Sequence, residues 1–199
     1  PAIGAGPAMD YLGRTGTDAL KGANILKSAD QGYSSSVEYA ATPIAQNLKG
    51  IAKVLLAGLG TRIFYTIQAG HDTHSGQLPV QTQLLTELAA GIADFYADLK
   101  EHQASGEVLM LVFTEFGRRV KDNGSGTDHG SGGAAFVIGD RISGGMHGVY
   151  PSLNEDKLLD GDLHFHVDFR SVYSTIAEKW LGLDANSIVG GNFERMDFL

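Results

Sequence analysis

Three short polar clusters hold the residues of this 199-residue chain whose types and spacing can do chemistry: His71-Asp72-Thr73-His74, Thr114-Glu115-Phe116-Gly117-Arg118 and Thr127-Asp128-His129-Gly130. Asp72 and His74 stand two apart, and in an extended segment residues i and i+2 point the same way. One carboxylate and one imidazole can then grip a single divalent cation, a ligand set suited to Zn²⁺ or Mn²⁺. The same residues also fit a polar turn in which Asp72 caps the approach to the next helix. Glu115 follows a run of apolar and β-branched residues, where a carboxylate is costly to bury unless paired or metal-bound. Arg118 and Arg119 offer it a salt bridge. Alternatively Arg118 clamps an anionic substrate, since the guanidinium fork matches phosphate or sulfate oxygens. His129 lies in a glycine-rich stretch over 126–133, where backbone can approach a ligand closely. Asp128 beside it is a candidate orienter of a metal-bound imidazole. The competing reading is a mobile surface loop, but such a loop has little use for Thr-Asp-His between its glycines.

A fourth run, Asp162, His164, His166 and Asp168, alternates along the chain and would share one face of a strand. It reads first as the solvated face of an edge strand and second as a competing metal site. His102 and His147 have no partners in the sequence and carry no role.

The elements that must position these clusters follow from the hydrophobic period. Thr42-Pro43 is a helix start, an N-cap hydroxyl before proline. Ile44, Leu48, Ile51, Ala52, Leu55 and Leu59 follow at helical spacing until Gly58 and Gly60. Residues 62–69 form a β-rich apolar run ending in Gly70, directly before the His71–His74 cluster. A helix is predicted over 80–103, with Leu84, Leu85, Leu88, Ile92, Phe95, Tyr96 and Leu99 as its stripe. Residues 107–114 read as a central strand covered on both faces, delivering Glu115. A third strand is predicted over 134–139, and a helix over 170–181 with Gly182 as its stop. Residues 1–41 read as an irregular segment with a short helix around 18–28, and 42–199 as the main portion. This order indicates an α/β layered fold, with sites beyond the carboxyl ends of the strands.

Composition narrows the function. The formal charge of -8 argues against a nucleic-acid binder, because neutralising phosphates needs a Lys/Arg surplus. It suits a cation better than a membrane surface. At 43% hydrophobic the chain can bury a core. The absence of cysteine excludes disulfides, thiolate zinc sites and Cys nucleophiles. No run reaches the roughly 18 apolar residues of a membrane span, so no membrane insertion is expected. There is no G-x-S-x-G elbow, no Walker A motif and no G-x-G-x-x-G after a strand. No signal peptide is visible and the chain starts at Pro1, so a preceding N-terminal portion is expected.

Taken in order, Gly70, Asp72-Thr73-His74, Phe95-Tyr96, Thr114-Glu115-Phe116-Gly117-Arg118-Arg119, the Asn123-to-Gly130 run NGSGTDHG, Asp168-Phe169-Arg170 and Trp180-Leu181-Gly182 resemble the DUF1501 family of bacterial proteins, within the alkaline phosphatase-like (phosphatase/sulfatase) superfamily. The resemblance runs from about Thr42 to the C-terminus. It implies a three-layer α/β/α sandwich with a mixed, mostly parallel central sheet, incomplete at the N-terminus. It also implies one or two divalent metal ions (Zn, Mn, Mg or Ca) and hydrolysis of a small anionic phosphate, sulfate or related ester. Carried over residue by residue, Asp72, His74 and His129 ligate one metal. Glu115 contributes to a second metal or acts as a base, Asp128 orients His129, and Arg118 binds the anionic group. Glu115 falls where better-known members place the Asp of an Asp-His pair, and Phe116 falls at that His, where it cannot ligate. The region that supplies the superfamily's nucleophile has no counterpart here. A periplasmic or envelope location, and a homo-oligomer or a missing N-terminal half, complete the expectation. The other expectation is a non-catalytic metal-binding or assembly member.

Overall fold

Pro43 opens a helix as its fixed φ requires, with Thr42 at the N-cap in extended conformation. The Thr42 hydroxyl makes no capping bond, so the start rests on proline and on the apolar face, not on the side-chain cap that the sequence suggests. The computed structural model describes residues 6–199. In chain order its elements are α1 (Pro7–Gly32), α2 (Pro43–Leu56), α3 (Gln77–Glu101), β1 (Met110–Val112), β2 (Gly117–Asp122), β3 (Thr127–Gly130), β4 (Phe136–Ile138), α4 (Phe169–Thr175) and α5 (Ala185–Val189). A π-helical turn, Ile176–Trp180, extends α4. No described helix is long and apolar enough to cross a membrane. The chain divides into two units, Pro1–Ala69 with Leu85–Ala104 and Gly70–Leu84 with Ser105–Leu199.

In the first unit α2 buries Ile44, Ala45, Leu48 and Ala52, and α3 buries Gly91, Phe95 and Leu99. Gly91 allows a close approach: a Cβ there would stand 3.3 Å from the Ala45 Cα. Asp98 sits in the same stripe and is fully buried. The Tyr33 and Tyr39 hydroxyls both donate to its Oδ2, at 2.6 and 2.7 Å. Burial, then these bonds to Asp98, raise both phenols well above the ordinary tyrosine range. The predicted short helix around 18–28 is longer, because Pro7 supplies an earlier start and α1 continues to Gly32. Residues 1–5 of the segment read as irregular lie outside the described residues.

His102, which has no partner in sequence, closes this polar cluster. Its Nδ1 faces the Asp98 carbonyl at 2.9 Å and its Nε2 faces the Ser34 carbonyl at 3.0 Å. Both partners only accept, so the two contacts favour the protonated ring, which can donate from both nitrogens. Its pKa is raised, chiefly by the bond to the Asp98 backbone. A raised folded pKa gives stability that is complete below the ordinary value of 6.5 and is lost as pH rises through the raised one. Denaturant unfolding at acid and alkaline pH should therefore show a wild-type advantage over His102→Gln that shrinks as pH rises. An advantage that grows with pH would contradict the imidazolium.

The second unit corrects the expected fold class. There is no three-layer sandwich and no parallel sheet among the described residues. Two antiparallel ribbons, β1–β4 and β2–β3, stand in its place. The run at 107–114 contributes only Met110–Val112, which pairs with Phe136–Ile138 in the register Met110↔Ile138. Parallel strands need a crossover of a dozen or more residues, usually a helix, to bring the chain back to the same end. The connection from β1 to β4 is long enough for a crossover but holds the β2–β3 hairpin and no helix, and the two strands run antiparallel. The run at 62–69, in the first unit, enters no ladder among the described residues.

The helix predicted over 170–181 is present, with Asp168 as N-cap accepting from the Arg170 amide at 2.8 Å. Gly182 takes a positive φ of 68° at its end. Around it Ser174, Thr175, Ala177 and Phe198 are buried.

Candidate metal centre

The centre grows from the β2–β3 hairpin. Its ladder pairs Gly117 with Gly130 and Arg118 with His129, then shifts register before Asp122↔Thr127. Directly opposed residues point to the same face, so Arg118 and His129 leave the ribbon together. The first pair needs glycine: a Cβ on Gly117 would lie 1.7 Å from the Gly132 carbonyl oxygen. Gly130 likewise packs on the Arg118 backbone, where a Cβ would lie 2.7 Å from the carbonyl carbon, while Gly126 and Gly132 leave room for Gln77 and Leu163.

Arg118 carries the second step. Its Nη1 donates to the Thr73 and Thr127 carbonyls, each at 2.6 Å, and its Nη2 donates to the His71 carbonyl and the Thr73 hydroxyl. The guanidinium therefore clamps the 71–74 segment to β3. It lies 5.1 Å over the Phe116 ring, which adds a cation–π contact. The tip of the hairpin adds further ties. Asn123 donates to the His74 carbonyl at 3.0 Å, Gly76 N donates to Ser125 Oγ at 2.8 Å, and Thr127 Oγ1 donates to Gln77 Oε1 at 2.9 Å.

These ties bring Asp72, His74 and His129 together, with one ligand atom of each within 4.8 Å of the others. Asp72 Oδ1 lies 2.7 Å from His129 Nε2 and 3.4 Å from His74 Nδ1. Ligand atoms of a tetrahedral ion bound at about 2.1 Å stand roughly 3.4 Å apart. The Asp72–His74 pair already has that spacing, and the Asp72–His129 pair at 2.7 Å has to open by about 0.7 Å to reach it. The donor set of one carboxylate and two imidazoles suits Zn²⁺ or Mn²⁺. The side chains are 70%, 50% and 40% exposed respectively, so the centre opens to solvent and leaves coordination positions unfilled by protein.

The remaining sequence-predicted residues fall differently. Asp128 accepts from Asn123 Nδ2 at 3.1 Å, and as a strand neighbour of His129 it points to the other face. Asp72 instead meets His129 Nε2 at 2.7 Å, a contact that gives way when both atoms turn to an ion. The terminal Arg118 donors are committed to backbone and Thr73, so an anion clamp is not available in this geometry. Glu115 is exposed on the turn before β2 and makes no hydrogen bond or ion pair among the described residues. The Asp162-to-Asp168 run forms no metal cluster. Asp162 pairs with Arg119 at 2.9 Å and Asp168 with Arg170 at 2.6 Å, which holds the Asp168 carboxyl below its usual range. Sequence reasoning missed the role of Phe116, whose ring stacks on His129 at 3.8 Å and 11°. An aromatic directly before the Gly117–Gly130 pair was the available signal.

One family model matches the chain over residues 10–196, that of a protein of unknown function, DUF1501. No curated protein and no solved structure matches it.

Proposed function

The chain belongs to the DUF1501 family, and from that premise we propose that it is a metal-dependent hydrolase acting on phosphate, sulfate or related esters. One observation carries this reading: Asp72, His74 and His129 converge, from segments 57 residues apart, on a solvent-open point fit for a divalent ion. When bound there, the ion supplies Lewis-acid polarisation of the ester and a lowered pKa for a water. The chain's own residues do the rest. Phe116 stacks on the His129 ring and holds its orientation. Arg118 is a positioning residue that sets the spacing between the 71–74 segment and β3. Glu115, exposed and unpaired among the described residues, is the proposed base. Membership of the alkaline phosphatase-like superfamily and an envelope location belong to this proposal and stand on the order of the motifs alone.

A second reading, a metal-binding or assembly protein without turnover, is favoured by the inward commitment of Arg118 and by Phe116 in place of a ligand. Aryl phosphate, sulfate and carboxylate esters assayed with added Zn²⁺ or Mn²⁺ separate the two. Turnover that is removed by chelator and by His129→Ala supports the hydrolase. Metal-replete protein that turns over none of them supports the second reading.

A further inference from the structure

The tip of the β2–β3 hairpin carries Asn123-Gly124, the one Asn-Gly step in the chain. Both residues are exposed, and beyond its chain neighbours no atom lies within 4 Å of the Gly124 Cβ position. Glycine leaves its backbone nitrogen unshielded, so an asparagine before it is open to attack on its side-chain amide by that nitrogen. The fold places further groups around this reaction. Asp122 Oδ1 accepts from the Gly124 N–H at 2.6 Å, and that proton is the one that has to leave. The Ser125 and Gly126 amides donate to Asn123 Oδ1 at 3.1 and 2.9 Å. That oxygen gathers negative charge when Cγ is attacked, and a pair of backbone N–H groups stabilises such an oxygen. The same asparagine holds the ligand-bearing segment. Its Nδ2 donates to the His74 carbonyl at 3.0 Å and to Asp128 Oδ1 at 3.1 Å.

We propose that Asn123-Gly124 is a self-modification site, where loss of ammonia converts the asparagine to aspartate or isoaspartate and loosens the hold on His74. The Gly124 nitrogen bonds to Asn123 Cγ, and its proton passes to Asp122. The Cγ–Nδ2 bond then breaks, and the departing amide group takes that proton and leaves as ammonia. A five-membered succinimide remains. Water adds to one or other of its two carbonyls, giving aspartate or isoaspartate, so the net change is one amide and one water for one acid and one ammonia. No other reactant is needed. Either product replaces a donor by an acceptor. Two carboxylates and the His74 carbonyl then face one another without the N–H groups that joined them. Isoaspartate also adds a methylene to the main chain between 123 and 124. Ser125 moves with it, and Ser125 accepts from the Gly76 amide through its hydroxyl at 2.8 Å and from the Gln77 amide through its carbonyl at 3.3 Å. The effect on metal binding rests on the centre proposed above; the conversion itself does not.

Ageing of the whole chain at mildly alkaline pH tests this. Its mass should rise by about one dalton as ammonia is released, with peptide mapping placing the change at Asn123. The native chain should convert faster than the chain unfolded in urea, and Asp122→Ala should slow the native rate about tenfold or more. Asn123→Asp, which supplies one product directly, should bind Zn²⁺ at least about tenfold more weakly than fresh wild type. Hydrogen exchange at the Gly76 and Gln77 amides should be faster in that variant and in aged wild type. A native chain that stays unconverted, or converts no faster than the unfolded one, overturns the proposal. So does a rate indifferent to Asp122→Ala, or wild-type exchange at Gly76 and Gln77 in Asn123→Asp. If fresh wild type takes up no Zn²⁺ while ageing still speeds that exchange, the metal centre fails and the self-modification stands.

Discussion

Replacing Arg118 with methionine should weaken metal binding at the proposed centre without removing a single ligand. The guanidinium makes four hydrogen bonds, three of them to the carbonyls of His71, Thr73 and Thr127. Methionine keeps apolar bulk against Phe116 but leaves those carbonyls without their charged donor. Hydrogen bonds from charged groups contribute about 1.5–3 kcal/mol each and are not additive, so a loss of roughly 3 kcal/mol of stability is expected. The segment bearing Asp72 and His74 then keeps only its ties to the hairpin tip, through Asn123, Ser125 and Thr127. Partners that orient metal ligands typically change affinity by about 10–100-fold, and a change in that range or beyond is expected here. Calorimetric titration with Zn²⁺ and urea unfolding measure the two effects on one sample. Arg118→Lys should restore little, since one ammonium cannot span carbonyls on two segments. Unchanged metal affinity in Arg118→Met would show that the 71–74 segment is held by other means.

Gly117→Ala should be the most damaging single-methyl change in the second unit. The added Cβ would fall 1.7 Å from the Gly132 carbonyl oxygen, far inside van der Waals contact, and that oxygen belongs to backbone that cannot rotate away. Gly117 opposes Gly130 next to the Arg118↔His129 pair, so the relief has to come from separating β2 from the 130–133 segment. Overpacking of this kind costs about 3 kcal/mol or more. Metal binding should fall with it, since His129 rides on the strand that moves. Gly124→Ala at the hairpin tip is the contrast: nothing lies near its Cβ position, and its φ of 99° makes the cost one of backbone strain. It should lower stability while leaving ligand spacing nearly intact. A Gly117→Ala protein with wild-type stability would mean that the hairpin does not pack as described.

The parts of this architecture legible in the sequence are those carried by local chemistry. Pro43, the stripe from Leu88 to Leu99 and the Gly182 stop each act over a few residues, and all three mark real helices. The convergence of Asp72, His74 and His129 was also legible, because HDTH and TDHG each concentrate ligand chemistry in four residues. The sheet was not. An apolar run such as 107–114 announces extended backbone but does not name its partner, and pairing direction depends on the connection between strands. Arg118 shows the same limit at a single residue. Its acceptors are backbone carbonyls, two of them 45 and 47 residues away, and carbonyls carry no sequence signature. An anion clamp and a backbone clamp therefore look identical in the chain. Asp98 was hidden for a related reason. It interrupts an apolar stripe, and the tyrosines that solvate it lie 65 and 59 residues upstream.

The most direct test of the metal centre is a calorimetric titration of Zn²⁺ into the whole chain near pH 7.5, since protons compete with the metal for imidazole ligands at lower pH. Asp72→Ala, His129→Ala and the His164→Ala/His166→Ala double variant should be titrated alongside wild type. Wild type and the double variant are expected to bind one equivalent with the same affinity, and Asp72→Ala and His129→Ala to bind at least about tenfold more weakly. Binding that survives both single substitutions, or that disappears in the double variant, would contradict a centre built from Asp72, His74 and His129.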